Sequence, residues 1–121
     1  MRINANLRAR YGSDIKLGAQ IGVGFSIAHY VGIVITERAH IGQNFHIKQN
    51  VTIGVKHGAQ QGCIYIGDNV EVGANSCIIG DDLSIGNNVH IGAMTFVNKD
   101  VPNDCVVYNR REMILTLKNH E

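Results

Sequence analysis

Two histidines stand where acid–base chemistry could be done. His29 falls two residues after Ile27, at a corner of a repeating aliphatic pattern where most equivalent positions hold something small. Counting along that pattern brings Gln49 (after Ile47), Ala74 (after Val72) and Ala93 (after Ile91) to the same place as His29. An imidazole titrates near neutral pH and can take the proton of a hydroxyl. The two alanines leave room for an extended ligand to lie against backbone amides. The second histidine, His57, lies in Gly54-Val55-Lys56-His57-Gly58-Ala59-Gln60-Gln61-Gly62, a polar, glycine-rich stretch that interrupts the pattern. Ordering an insertion costs conformational entropy, so its presence argues for a use. The plainer alternatives are a solvated corner histidine and a solvent-exposed bulge.

The elements that must carry these side chains follow from the spacing. A branched aliphatic recurs every six residues: Ile15, Ile21, Ile27; Ile41, Ile47, Ile53; Ile66, Val72, Ile78; Ile85, Ile91, Val97. The residue two places earlier is also apolar or small, and Gly follows directly at 22, 42, 54, 67, 73, 86 and 92. A period of six matches no ordinary helix. It matches short strands with alternating side chains joined by turns, three strands to a triangular coil, and coils stacked because none can bury its apolar stripe alone. The glycines are read as turn residues at positive φ. Four coils are expected: 15–32; 33–52 with two extra residues in Val34–Arg38; 53–77 with a large insertion over Val55–Tyr65; and one opening at Ile78 or Ile79, with the choice left open by one extra residue. The chain is expected to leave the coils after Val101-Pro102, and Glu112–Lys118 reads as a short strand or a helix. The domain reading is therefore a lead-in over 1–14, a β-helix over 15–102 with insertion 55–65, and a tail over 103–121.

Composition removes several classes of function. With 121 residues, 17 % of them charged, and a net charge of +1, the chain reads as one domain with no electrostatic footprint for nucleic acid or an anionic membrane. No apolar run approaches the length of a membrane span, and Met1-Arg2-Ile3-Asn4 lacks the apolar stretch of a signal peptide. Cys63, Cys77 and Cys105 are an odd number without metal-ligand spacing and read as free thiols in a reducing cytosol, so a cytoplasmic location is expected.

More than ten agreeing hexads over residues 14–103 make the chain similar to the hexapeptide-repeat proteins, and the resemblance implies an all-β, left-handed parallel β-helix. It narrows at Ala28-His29-Tyr30-Val31-Gly32-Ile33-Val34-Ile35-Thr36-Glu37-Arg38-Ala39, which resembles the Asp-His-x-x-Gly-Ile-Val-Ile-Gly-Glu-Thr-Ala signature of serine O-acetyltransferases and of related sugar acetyltransferases of exopolysaccharide and capsule pathways. Val51-Thr52-Ile53-Gly54 is similar to the Val-Thr-Leu-Gly that leads into that family's active-site loop. The resemblance implies acetyl-CoA as co-substrate, no required metal, His29 as the base that deprotonates the acceptor hydroxyl, and His57 as the second active-site histidine. It also implies that Gly54, Ala74 and Ala93 line the coenzyme groove, and that the protein is a homotrimer with sites between subunits, where His29 of one chain would face His57 of another. Glu37 is a candidate to orient the imidazole or simply a turn carboxylate. Lys99, Arg110 and Arg111 are candidates for the coenzyme's phosphates or ordinary surface charge.

The departures bear on the acceptor. The signature's Asp before the histidine is Ala28; the loop's Asp-Arg-His-Pro is Lys56-His57-Gly58-Ala59; and the Gly-x-Pro-Ala-Lys/Arg after the last coil is Tyr108-Asn109-Arg110-Arg111. With about 14 residues ahead of the first coil, the family's long helical N-terminal domain is expected to be absent. An amino-acid zwitterion in a desolvated site needs charged partners at both ends, and several are gone. A sugar hydroxyl, as in a cell-surface polysaccharide precursor, is therefore expected over free serine. The rival readings are serine acetylation, a non-catalytic trimeric scaffold, and a metal-dependent hydratase using His40, His46 and His90. By coil count, Glu71 separates His46 from His90, and His40 lies on another face.

Overall fold

The computed structural model describes residues 12–56 and 62–119. Among these residues, fourteen strands of two or three residues wind into a three-faced parallel solenoid. Sheet A stacks β1 (Asp14–Ile15), β4 (Val34–Ile35), β7 (Thr52–Gly54), β10 (Cys77–Ile79) and β13 (Phe96–Val97). Sheet B stacks β2 (Gln20–Ile21), β5 (Ala39–Ile41), β8 (Ile64–Ile66) and β11 (Leu83–Ile85). Sheet C stacks β3 (Ser26–Ile27), β6 (His46–Ile47), β9 (Glu71–Val72), β12 (His90–Ile91) and β14 (Val106–Val107).

The hexad aliphatics meet one another rung by rung. Ile15, Ile35, Ile53, Ile78 and Val97 form one inward column, and Ile27, Ile47, Val72, Ile91 and Val107 another. From Ile33 to Val97 these side chains are sealed from solvent, each contributing roughly 2 kcal/mol of burial. Phe25 and Phe45 stack inside a corner with ring centroids 5.9 Å apart. The residue before each aliphatic points outward, so chemistry sits on the faces and at the corners.

One open detail of the spacing is decided and three are resolved differently. Ile78, not Ile79, is the inward residue of β10, since it pairs with Ile53 and Val97 while Ile79 pairs with Gly54. The insertion ends at Cys63, because Ile64 and Tyr65 already pair with Ala39 and His40. A partial fifth rung continues beyond Pro102: Val101 bridges to Ile85, and Val106–Val107 pairs with β12. Past that rung, residues 108–119 form no strand or helix.

The glycines after the aliphatics do not supply the positive φ. At the corners that follow sheets B and C, where such a glycine is present, that role falls two residues later; the positive-φ residues are Gly24, Asn44, Asn69, Asn88 and Asp104 at the corner between B and C, and Gly32, Asn50, Asn75 and Met94 at the corner between C and A. At 22, 42, 67, 73 and 86 the glycines are there because rungs touch. A Cβ on Gly42 would stand 2.9 Å from the backbone of Gly67, one on Gly67 2.9 Å from that of Gly86, and one on Gly73 2.5 Å from the amide nitrogen of Ala93.

Candidate active site

The corner between sheets C and A carries the first histidine. In its regular rungs, each turn amide bonds the carbonyl directly above: Asn75 N–H to Gln49 at 3.0 Å and Met94 N–H to Ala74 at 2.8 Å. Gln49, Ala74 and Ala93 thus form the expected column. One rung earlier the partner of Asn50 N–H is the carbonyl of Val31, at 2.9 Å, so Val31 and not His29 occupies the column. From Ile27 to Ile35 is a step of eight residues where the next rung, Ile47 to Ile53, uses six. The two extra residues therefore lie at this corner, not in Val34–Arg38, and His29 is among them. The imidazole is borne on a two-residue bulge at the head of the column, exposed to solvent.

A buried serine fastens that bulge. Ser13, fully sealed, donates its hydroxyl to the carbonyl of Tyr30 and accepts the amide of Ile33 at 3.0 Å. No pattern in the sequence singles it out, since a lone serine two places before Ile15 looks like any small repeat residue.

Below the bulge the column is small and open. Ala74 is half-buried and Ala93 exposed, and a Cβ on Gly92 would make only ordinary contacts, the closest at 3.6 Å. Gln49 adds an unusual feature: its Oε1 is buried and finds no donor among the described residues, a state that costs about 1–3 kcal/mol unless something supplies an N–H or O–H. At the foot of the column, Gly92, Ala93, Tyr108, Asn109, Arg110 and Arg111 line an apolar concavity, and the Arg111 guanidinium donates to the carbonyl of Ala93.

The remaining candidates stand across sheet A, at its corner with sheet B. Glu37 lies there beside Gly18. Gly54 closes β7; among the described residues a Cβ on it would meet only Ile79 Cδ1 at 3.5 Å, so none of them requires a glycine. The insertion leaves from this corner after Lys56, whose amide bonds Asp81 Oδ1 at 3.0 Å. His57 lies outside the described residues. Lys99 is exposed near the same edge, two rungs further on. A single chain therefore holds His29, Ala74 and Ala93 at one edge of sheet A and Glu37, Gly54 and Lys99 at the other, and does not bring the two sets together.

The other described histidines sit apart from both edges. His46 and His90 lie on the outer face of sheet C with Glu71 between them; His46 Nδ1 is 2.7 Å from Ser26 Oγ, and His90 Nδ1 is 3.0 Å from Glu71 Oε2. His40 stacks on Tyr65 on sheet B, centroids 5.1 Å apart. Among the described residues no three His, Cys, Asp or Glu side chains are arranged to hold a metal ion.

No protein-family model matches the chain. Individual relatives do. WcaB of Escherichia coli strain K12, named as a colanic acid biosynthesis acetyltransferase, is 38 % identical over 108 residues, covering 89 % of this chain and 66 % of WcaB. Mitochondrial serine acetyltransferase 3 of Arabidopsis thaliana is 47 % identical over 91 residues, which are 74 % of this chain and 23 % of that protein. Among solved structures, serine acetyltransferase isoform 3 of Entamoeba histolytica, in complex with cysteine, superimposes with a TM-score of 0.84 at 32 % identity over 98 % of this chain and 42 % of that one. This chain belongs to the hexapeptide-repeat acyltransferases. Its solenoid is accordingly the left-handed parallel β-helix of that family. The serine acetyltransferase of Neisseria gonorrhoeae, in complex with serine, gives 0.80 at 34 % identity over 89 % of this chain and 44 % of that one. The chain spans about two thirds of WcaB and less than half of the serine acetyltransferases. No helix among the described residues is long and apolar enough to cross a membrane.

Proposed function

We propose that this protein is an acetyl-CoA-dependent O-acetyltransferase whose acceptor is a hydroxyl of a sugar destined for a cell-surface polysaccharide. The observation that carries the reading is the corner between C and A: an imidazole raised on a bulge at the head of an open column of small residues. The names of the relatives support the reaction class. His29 takes the acceptor's hydroxyl proton as that oxygen attacks the thioester carbonyl carbon. The carbon–sulfur bond then breaks, and the departing thiolate recovers the proton from the imidazolium. Direct transfer needs no acyl-enzyme. Ala74 and Ala93 make room for the pantetheine arm, with Gln49 Oε1 an acceptor for one of its amide N–H groups. Gly54 and Lys99 line the coenzyme from the opposite wall, where an amide near Gly54 is placed to meet the developing oxyanion.

The division of candidates between two edges of sheet A supports a homotrimer in which one chain's C–A edge meets its neighbour's A–B edge. His29 would then face His57 and Glu37 of the adjacent subunit, in a cytoplasmic enzyme that uses no metal. Light scattering tests the assembly, and a monodisperse monomer contradicts it.

Serine acetylation is the second reading, favoured by the solved relatives that carry serine and cysteine. Ala28 in place of a carboxylate, and the lack of an arginine in the loop, weigh against it. Release of CoA in the presence of L-serine, free hexoses or nucleotide sugars separates the two. A higher kcat/KM for serine overturns the sugar reading, and no turnover with any acceptor leaves a scaffold.

A further inference from the structure

We infer that Ser13 is a positioning residue for His29, a role that rests on the proposed transfer reaction. The bulge that carries the imidazole has two residues more than any regular C–A corner, and a longer turn has more conformations to lose. Rigidity must come from elsewhere. Ser13, on the first rung, reaches the turn at both ends, since its hydroxyl donates to the Tyr30 carbonyl and accepts from the Ile33 amide. The span it closes, Tyr30-Val31-Gly32-Ile33, begins one residue after His29. The clamp therefore fixes where the bulge rejoins the solenoid, and with it the direction of the Cα–Cβ bond of His29.

The chain contains its own control. Ser76 occupies the same inward column as Ser13 and makes the same pair of bonds, donating to the Gly92 carbonyl at 2.8 Å and accepting from the Thr95 amide at 3.2 Å. Both serines are fully buried. The turn that Ser76 closes has regular length and no histidine. Loss of either hydroxyl strips two backbone groups of the same kind of partner, so the two losses are matched in their cost to folding. They differ only in what stands on the turn. Thr95 lies in that column as well, buried at 1 % exposure, which shows that a β-branched hydroxyl fits there.

The test compares Ser13→Ala, Ser13→Thr and Ser76→Ala in the full chain. Ser13→Ala is expected to lower kcat roughly tenfold, the scale of one or two lost hydrogen bonds, with KM for acetyl-CoA within about twofold of the parent. Ser13→Thr should restore kcat. Ser76→Ala should lose as much in melting temperature as Ser13→Ala while keeping the parent kcat. If Ser13→Ala keeps the parent kcat, or Ser76→Ala loses as much kcat as Ser13→Ala, the inference fails. A second readout is independent of turnover. The His29 ring resonance, assigned by its loss in His29→Ala, should shift or broaden in Ser13→Ala and stay unchanged in Ser76→Ala. If the parent protein transfers no acetyl group, the functional reading fails; an undisturbed His29 resonance in Ser13→Ala overturns the positioning role by itself. Should Ser13→Ala not fold, Ser13→Cys, similar in shape and a weak hydrogen-bonding partner, takes its place under the same outcomes.

Discussion

The B–C and C–A corners solve the same turning problem in different ways. At B–C the chain is occupied with itself. Gly42, Gly67 and Gly86 press backbone to backbone, and the turn side chains bond along the axis, Asn44 to Asn69 at 3.1 Å and Asn88 to Asp104 at 2.8 Å. At C–A, Ala74 and Ala93 stand where B–C has Asp68 and Asn87, the buried Gln49 Oε1 lacks a donor among the described residues, and one rung carries two residues beyond what the turn requires. A small residue at the first corner is demanded by its own neighbours. At the second Gly73 is held in the same way, while Gly92, Ala74 and Ala93 leave space that no described residue fills. That difference, more than small size itself, separates a packing glycine from a ligand-facing residue.

The sharpest way to break the comparison is at its functional end. His29→Ala is expected to lower acetyl transfer by roughly 10²–10⁴, the usual contribution of a general base, with the melting temperature unchanged because the side chain is exposed; steady-state kinetics beside a thermal melt check both halves. Gly42→Ala should do the reverse. Its Cβ has no room against the Gly67 backbone or the Asp68 carboxylate, so unfolding free energy should drop by about 3 kcal/mol, at the upper end of overpacking costs, as read by urea denaturation. Ala93→Leu tests whether the open column is used: KM for acetyl-CoA should rise roughly tenfold, equivalent to about 1.4 kcal/mol, while stability, as for most exposed positions, stays within about 0.5 kcal/mol. The smallest effect is expected from Gly54→Ala, where an added methyl meets only ordinary contacts. Its stability should also hold to about 0.5 kcal/mol, and a large loss would move Gly54 into the packing class.

The sequence was most readable where geometry repeats. Six-residue spacing is enough to identify the inward columns and to stack Gln49, Ala74 and Ala93. It cannot place an irregularity inside a gap. From Ile27 to Ile41 is a step of fourteen residues, two more than a pair of hexads, and the surplus fits either side of Ile35; only the pairing of Ile35 with Ile15 and Ile53 assigns it to the His29 turn. Ile78 and Ile79 were ambiguous for the same reason, an extra residue in the following corner. The glycines were located correctly but for a different physical cause, since a close approach between rungs leaves no trace in a single rung's sequence. Ser13 was invisible because its partners are seventeen and twenty residues away.

The last rung of sheet A has one further consequence. Phe96 would leave an amide and a carbonyl bare, but the side chain of Asn109 bonds both, accepting at 2.6 Å and donating at 3.1 Å. A carboxamide thus stands in for a missing strand, and no molecule approaching end-on can continue that ladder. The same cap guards against fibre growth: without it, each solenoid would offer the next one a ready template for head-to-tail polymerisation.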